Sequence, residues 1–287
     1  MNSKINSLYD FLKEQSQKKG RKLKIVSDYD EVIQAHKVFL AYQIQKPEIS
    51  LRDFFKTYWD ETEFVEVHEG SKRRISKSSS IFNNFTEKDA QDLGIKKEDY
   101  EEWKKNEDAH ALTKEFKKLK QDFYEEAPFL SLAQDLLLAL KEDLIKELVI
   151  VSSFREGRYK NQGDQRKIKK FNETFGRFSN CKLKLTKLKV NEDKIPLPFR
   201  WDYVKENDPD FDIFIDDNKK TVENIKILFP DKICLLPQYK TNEGIKGENV
   251  YHVKTEITDL RVEDFGRSWK EHEEKLEEAK IISIDKK

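Results

Sequence analysis

Two carboxylates stand one residue apart where a short apolar run ends: Leu23, Ile25 and Val26 lead through Ser27 to Asp28, Tyr29 and Asp30. The run is too brief for a helix and reads as a buried parallel strand. Its carboxyl end is the edge at which open α/β sheets bind ligands. Two like charges so close repel, and each resists ionisation unless a cation or hydrogen-bond donors offset the field. A divalent metal is the simplest such offset. A lone Asp-x-Asp is a weak signal, because a polar turn after a strand has the same pattern. Two further stretches strengthen it. Leu148 to Ser153 (LVIVSS) is a strand pattern that ends on hydroxyls, and Phe211 to Asn218 (FDIFIDDN) is one that stops on Asp216 and Asp217. Three buried-strand patterns, each ending on oxygen-bearing side chains, are hard to explain by packing alone.

In that order, DxD, then Ser, then DD, the sequence resembles the haloacid dehalogenase-like (HAD) hydrolase superfamily. The match covers the core motifs and their spacing and extends to no single subfamily. It implies a three-layer, Rossmann-like parallel sheet with an inserted, mainly α-helical cap. It also implies a nucleophile at Asp28, a general acid and base at Asp30, and a phosphate-binding hydroxyl at Ser152. Apart from the resemblance, Ser153 and, in the first turn of the helix expected after it, Arg155 or Arg158 stand near the same edge as candidates for contact with a substrate phosphate. Magnesium would be held by Asp28, Asp216 and Asp217 and by the backbone carbonyl of Asp30. A lysine near the connector 190–199 is further implied; Lys194 is the choice, with Lys189 and Arg200 as rivals. The chain departs from the family at Glu31, where Gly is usual; a side chain there crowds the turn or adds negative charge beside the phosphate.

The elements that must position these residues follow from periodicity. Residues 1–20 carry a helical pattern ended by Gly20, and Val32 to Tyr42 reads as the start of a helix leading away from the sheet. Residues 36–124 hold aromatic residues at helical spacing, Phe54, Phe55, Tyr58 and Trp59, then Tyr100, Trp103, Phe116 and Phe123, with Leu119 among them. The expected division is therefore a core of residues 1–35 and 125–287 with a helical cap of 36–124 whose aromatics form its interior. Within the cap, Ser71 to Ser80 (SKRRISKSSS) lacks periodicity and reads as a solvated loop. Pro128 to Asp143 reads as an amphipathic helix, Arg155 to Phe175 as a basic one, Cys181 to Val190 as a less buried strand, Lys219 to Phe229 as a helix capped by Asn218, and Asp231 to Leu236 as a further strand. Trp269 to Lys280 reads as a charged helix.

The chain has 287 residues, 55 basic and 55 acidic, for a formal net charge of zero. That sum offers no pull toward nucleic acid or an anionic membrane. No apolar run approaches the roughly 20 residues of a membrane span, and the polar start of the sequence is unlike a signal peptide. Cys181 and Cys234 match no zinc or redox spacing and read as buried free thiols. A soluble, cytoplasmic, reducing setting is expected. The expected activity is magnesium-dependent hydrolysis of a small phosphate monoester through an aspartyl phosphate. The alternative is a catalytically weak or inactive binding or regulatory protein on the same fold. A P-loop kinase is disfavoured because no GxxxxGK[ST] occurs, and a dehalogenase because Asp30 supplies an acid and base that phosphoryl transfer needs.

Overall fold

A computed structural model describes residues 4–258, apart from 69–70, 77–81, 83, 107, 121–122, 156–161, 191–195, 198–199, 240–241 and 243. It begins with β1 (Lys4–Ile5) and helix α1 (Leu8–Lys19). The Ser7 hydroxyl accepts from the Asp10 amide at the start of α1, and Gly20, at φ 60°, closes it in the left-handed conformation that glycine adopts at little cost. Strand β2 (Leu23–Asp28) follows, then α2 (His36–Gln45), α3 (Leu51–Glu61), a hairpin of β3 (Thr62–His68) and β4 (Ser71–Ser76), α4 (Glu87–Asp92), α5 (Lys97–Lys105), α6 (Ala109–Leu119), α7 (Phe123–Glu126) and α8 (Ser131–Lys141). The remaining elements are β5 (Ile145–Arg155), α9 (Gln162–Phe175), β6 (Cys181–Val190), β7 (Pro196–Leu197), α10 (Arg200–Asn207), β8 (Ile213–Ile215), α11 (Lys219–Leu228), β9 (Ile233–Pro237) and β10 (Val250–Val253).

Eight strands form one sheet in the order β1-β10-β9-β8-β2-β5-β6-β7. Every neighbouring pair is parallel except β6 with β7. Strict alternation along the central strands sends side chains to two separate cores. Ile25, Leu148, Ile150, Ile213 and Ile215 pack with Leu8 and Leu12 of α1, Leu132, Leu136, Leu137 and Leu140 of α8, and Phe171 and Phe175 of α9. Val26, Val149, Val151 and Phe214 pack on the other face with Val204 of α10 and Val222 and Ile225 of α11. The result is the three-layer, Rossmann-like α/β arrangement that continuous apolar strands require. Cys181 and Cys234 are both free and buried. Among the described residues no helix is long and apolar enough to cross a membrane.

The segment between β2 and β5 builds a separate apolar cluster from Leu40 and Ile44 of α2 with Phe82, Phe85, Ala90, Ile95, Tyr100, Leu112 and Phe116. Phe54, Phe55 and Tyr58 pack instead with Val38, Ala41, Leu130, Tyr239 and Ile257. Leu119 departs from its expected place in the interior: it is 40% exposed at the last position of α6. The expected loop at Ser71 to Ser76 is a strand, because β3 offers it an antiparallel partner from Thr62 to His68; Ser80 and the residues just before it lie outside the described set. The helix expected from Val32 begins only at His36. Residues 29–35 are held in a turn by bonds from the Ile33 amide to the Tyr29 carbonyl (2.9 Å) and from the Glu31 amide to the Gln34 carbonyl (2.8 Å). The charged helix expected at Trp269 to Lys280 lies outside the described residues.

One buried acid ties the start of β2 to β8. Asp212, 2% exposed, accepts from both terminal nitrogens of Arg21 (2.8 and 2.7 Å) and from the Lys24 amide (2.9 Å). Asp212→Ala removes the acceptor of a backbone N–H and a paired charge and is expected to cost about 2 kcal/mol. The check is a lowered urea midpoint with unchanged slope; an unmoved midpoint would contradict the role of this tie.

Candidate functional site

Sheet register brings the acids together. Ser27 pairs with Ile215 across β2 and β8, and Asp28 pairs with Val151 across β2 and β5. The residues next in line, Asp28, Ser152 and Asp216, therefore emerge side by side at the carboxyl edge. β2 lies where the sheet order reverses: the chain runs outward to β5 and β6 on one side and returns to β8, β9 and β10 on the other. That reversal leaves a crevice between the loops after β2 and β8.

Within it, one carboxylate oxygen each from Asp28, Asp216 and Asp217 lie within 4.8 Å of one another. Asp28 is 2% exposed and Asp216 fully buried. The Asp28 carboxylate accepts from the Tyr29 amide at 2.7 Å and meets Arg200 Nη1 at 2.7 Å. Asp216 accepts from the Asn218 amide at 2.8 Å and bonds the same Arg200 nitrogen. Asp217 pairs with Lys37 Nζ at 2.8 Å. Asn218 also caps α11 through the Thr221 amide, so the acidic pair is rigidly based. Burial, above all, pushes the Asp28 carboxyl well above its usual range; Arg200 opposes this, and Asp216, Asp217 and Asp30 add to it. Asp216 is raised in the same way, by burial first, with Arg200 opposing. All-oxygen donors converging from two strands, in a place that disfavours their charge, are what a hard dication such as Mg2+ fits.

Asp30 faces a different set. Its carboxylate takes Lys167 Nζ at 2.8 Å and His36 Nδ1 at 2.6 Å. Burial works against its charge, but Lys167 and His36 outweigh it and hold Asp30 well below the usual carboxylate range. Burial meanwhile lowers the His36 imidazole, against the pull of Asp30. Lys167, only 6% exposed, also donates to Ser152 Oγ at 3.0 Å. Its ammonium lies over the rings of Tyr29 (5.7 Å) and Tyr124 (5.4 Å), so the helical segment after β2 reaches this side of the site.

Of the residues singled out from sequence, Asp28, Asp30, Ser152, Asp216 and Asp217 converge. Ser153 and Arg155 sit at the same end of β5, and Lys189 lies on β6, with side chains outside the described residues; Arg158 and Lys194 lie outside them altogether. Arg200 is at the site, bound to carboxylates. Lys167, His36 and Lys37 are additions. A signal for Lys167 was present: it precedes Phe171 by four and Phe175 by eight, so it falls on the apolar stripe of α9, where an ammonium demands a carboxylate. No family model matches the chain, and a search of curated protein sequences gives no match.

Glu31 occupies the turn that leaves the site. Its φ is 62°, the left-handed region that glycine enters freely and other residues enter at a cost of about 1–2 kcal/mol. The side chain is fully buried. One carboxylate oxygen accepts from the Lys37 amide in the first turn of α2, and the other is buried with no hydrogen-bond partner among the described residues. Burial first, then Asp217, raise this carboxyl from 4.5 to about 8, against Lys37. Between those values the unfolded chain has released the proton and the folded chain keeps it, so this group lowers stability as pH rises through that window. Glu31→Gln, which keeps an acceptor for the Lys37 amide, is expected to match the wild type near pH 4.5 and to exceed it by about 4 kcal/mol at pH 8. Thermal unfolding across that range is the check, and parallel profiles would contradict it.

Proposed function

We propose that the chain is a magnesium-dependent phosphatase of small phosphate monoesters. The single observation that carries this reading is the approach of Asp28, Asp216 and Asp217 to within 4.8 Å at a sheet edge, with Asp30 and Ser152 joined beside them through Lys167. Asp28 attacks phosphorus, forming one P–O bond as the ester P–O bond breaks, and becomes an aspartyl phosphate. Asp30, ionised at rest between Lys167 and His36, takes up a proton from solvent before giving it to the leaving oxygen, then takes one from the water that releases phosphate and regenerates Asp28. Ser152 and Lys167 hold phosphoryl oxygens, the lysine supplying positive charge beside the phosphate. A magnesium ion held by Asp28, Asp216 and Asp217, with the Asp30 carbonyl, would neutralise charge as the phosphoryl group transfers. The segment between β2 and β5 is read as the cap that selects the substrate, since Tyr124 packs edge-on against His36. Mixed surface charge that sums to zero favours a small substrate over a polynucleotide.

A second reading, a non-catalytic binding or regulatory protein on the same core, is favoured by three particulars: Arg200 bound among the acids, Glu31 at the turn where the family has glycine, and Asp30 held ionised by two basic neighbours.

The deciding assay is hydrolysis of an aryl phosphate with and without magnesium, in wild type and Asp28→Asn. Magnesium-dependent turnover that falls by on the order of a thousandfold in the variant is expected. No turnover of any of a broad panel of phosphate esters by the wild type would favour the binding protein.

A further inference from the structure

Arg200 stands among the oxygens that the carboxylate group would turn toward a cation. Its Nη1 lies 2.7 Å from the Asp28 carboxylate and bonds the Asp216 carboxylate as well. Its side chain is 15% exposed, and its Nε is buried with no hydrogen-bond partner among the described residues. A guanidinium paired to full advantage uses two nitrogens on one carboxylate in a fork. Here one nitrogen is divided between two acids while another donor stays unused. The arrangement compensates charge without completing the bonds that would lock the side chain in place. Arg200 is the first residue of α10, so its position depends on the end of a short helix and not on the sheet that fixes the acids.

Two cations this close to the same oxygens repel each other. We propose that Arg200 is the resident counter-ion of Asp28 and Asp216, while Lys37 serves Asp217, and that a divalent cation binds the three acids only as Arg200 gives up its contacts with Asp28 and Asp216. Arg200 then sets the cation affinity of the site by direct competition, holding the acids in place when no dication is bound. The inference rests on reading the three acids as a cation site; it does not depend on turnover.

The test is calorimetric titration of the full chain with Mg2+ at low ionic strength, for the wild type, Arg200→Ala and Arg200→Gln, with circular dichroism to establish folding. The two substitutions differ in the volume they remove, so one serves if the other unfolds. At least tenfold tighter Mg2+ binding is expected in the folded variants. In 15N-labelled wild type, the Arg200 Nε–H resonance, assigned by its absence from Arg200→Gln, is expected to shift on Mg2+ addition. Equal or weaker Mg2+ binding in the variants, or an Nε–H resonance that ignores saturating Mg2+, would overturn the proposal. Absence of Mg2+ binding in all three proteins would overturn it together with the cation site. Failure of aryl phosphate hydrolysis alongside tighter binding would sink the phosphatase reading and leave this one standing.

Discussion

Mutual repulsion among buried carboxylates is the constraint around which the rim of this sheet is arranged. Asp28 and Asp216 are withdrawn from water and sit beside Asp217, a grouping that resists ionisation unless positive charge is supplied. The chain supplies it from three directions: Arg200 from α10, Lys37 from the first turn of α2, and Lys167 from α9, the last serving Asp30. Each cation comes from an element outside the sheet, whereas Asp28 ends β2, Ser152 lies on β5 and Asp216 follows β8 directly. The negative part of the site is therefore set by the sheet, and its positive part is carried by the helices packed around it.

The turn at 29–35 links that rim to the segment that follows. The Tyr239 hydroxyl donates to the Glu31 carbonyl at 2.8 Å, and Tyr29 donates to Gln34, which in turn donates to the Ala127 carbonyl at 2.8 Å. These bonds fix both the exit from and the return to the α/β core at one point. Glu31 adds a capping bond to α2, and α2 carries His36 and Lys37. Local strain at a left-handed residue and a buried, half-paired carboxyl persist here because the surrounding bonds overdetermine the turn. Displacement of α2 would therefore alter the partners of both Asp30 and Asp217.

The central elements were legible in the sequence because they are fully buried strands, and full burial writes a continuous apolar run. β2 ends on Asp28, β5 carries Ser152 near its carboxyl end, and Asp216 follows β8 directly, so each apolar run gives way to the polar residue that marked the site. The hairpin of β3 and β4 was not legible, since SKRRIS is a mostly basic and hydroxyl-bearing stretch without a run of β-favouring residues, and it gains its conformation from pairing with β3. Four added residues of apparent helix before His36 had a similar cause: Val32 and Ile33 are apolar because they are buried in the turn, a tertiary demand that imitates helical periodicity. The acids could be located from strand ends alone, but their counter-ions could not. Lysines are so frequent here that only position on a buried stripe separates Lys167 from the rest, and Arg200 and Lys37 reach the site by directions that pattern does not encode. Glu31 was visible as a departure from glycine; that it adopts glycine's φ while burying a carboxyl required coordinates.

The convergence of Asp28, Asp216 and Asp217 on one cation is tested most directly by a crystal structure grown with Mn2+, read from anomalous difference density. A single strong peak about 2.1–2.2 Å from oxygens of Asp28 and of the acidic pair after β8 is the predicted result. Density that lies elsewhere, or a rim with no peak and Arg200 still bridging Asp28 and Asp216 at saturating Mn2+, would contradict the account.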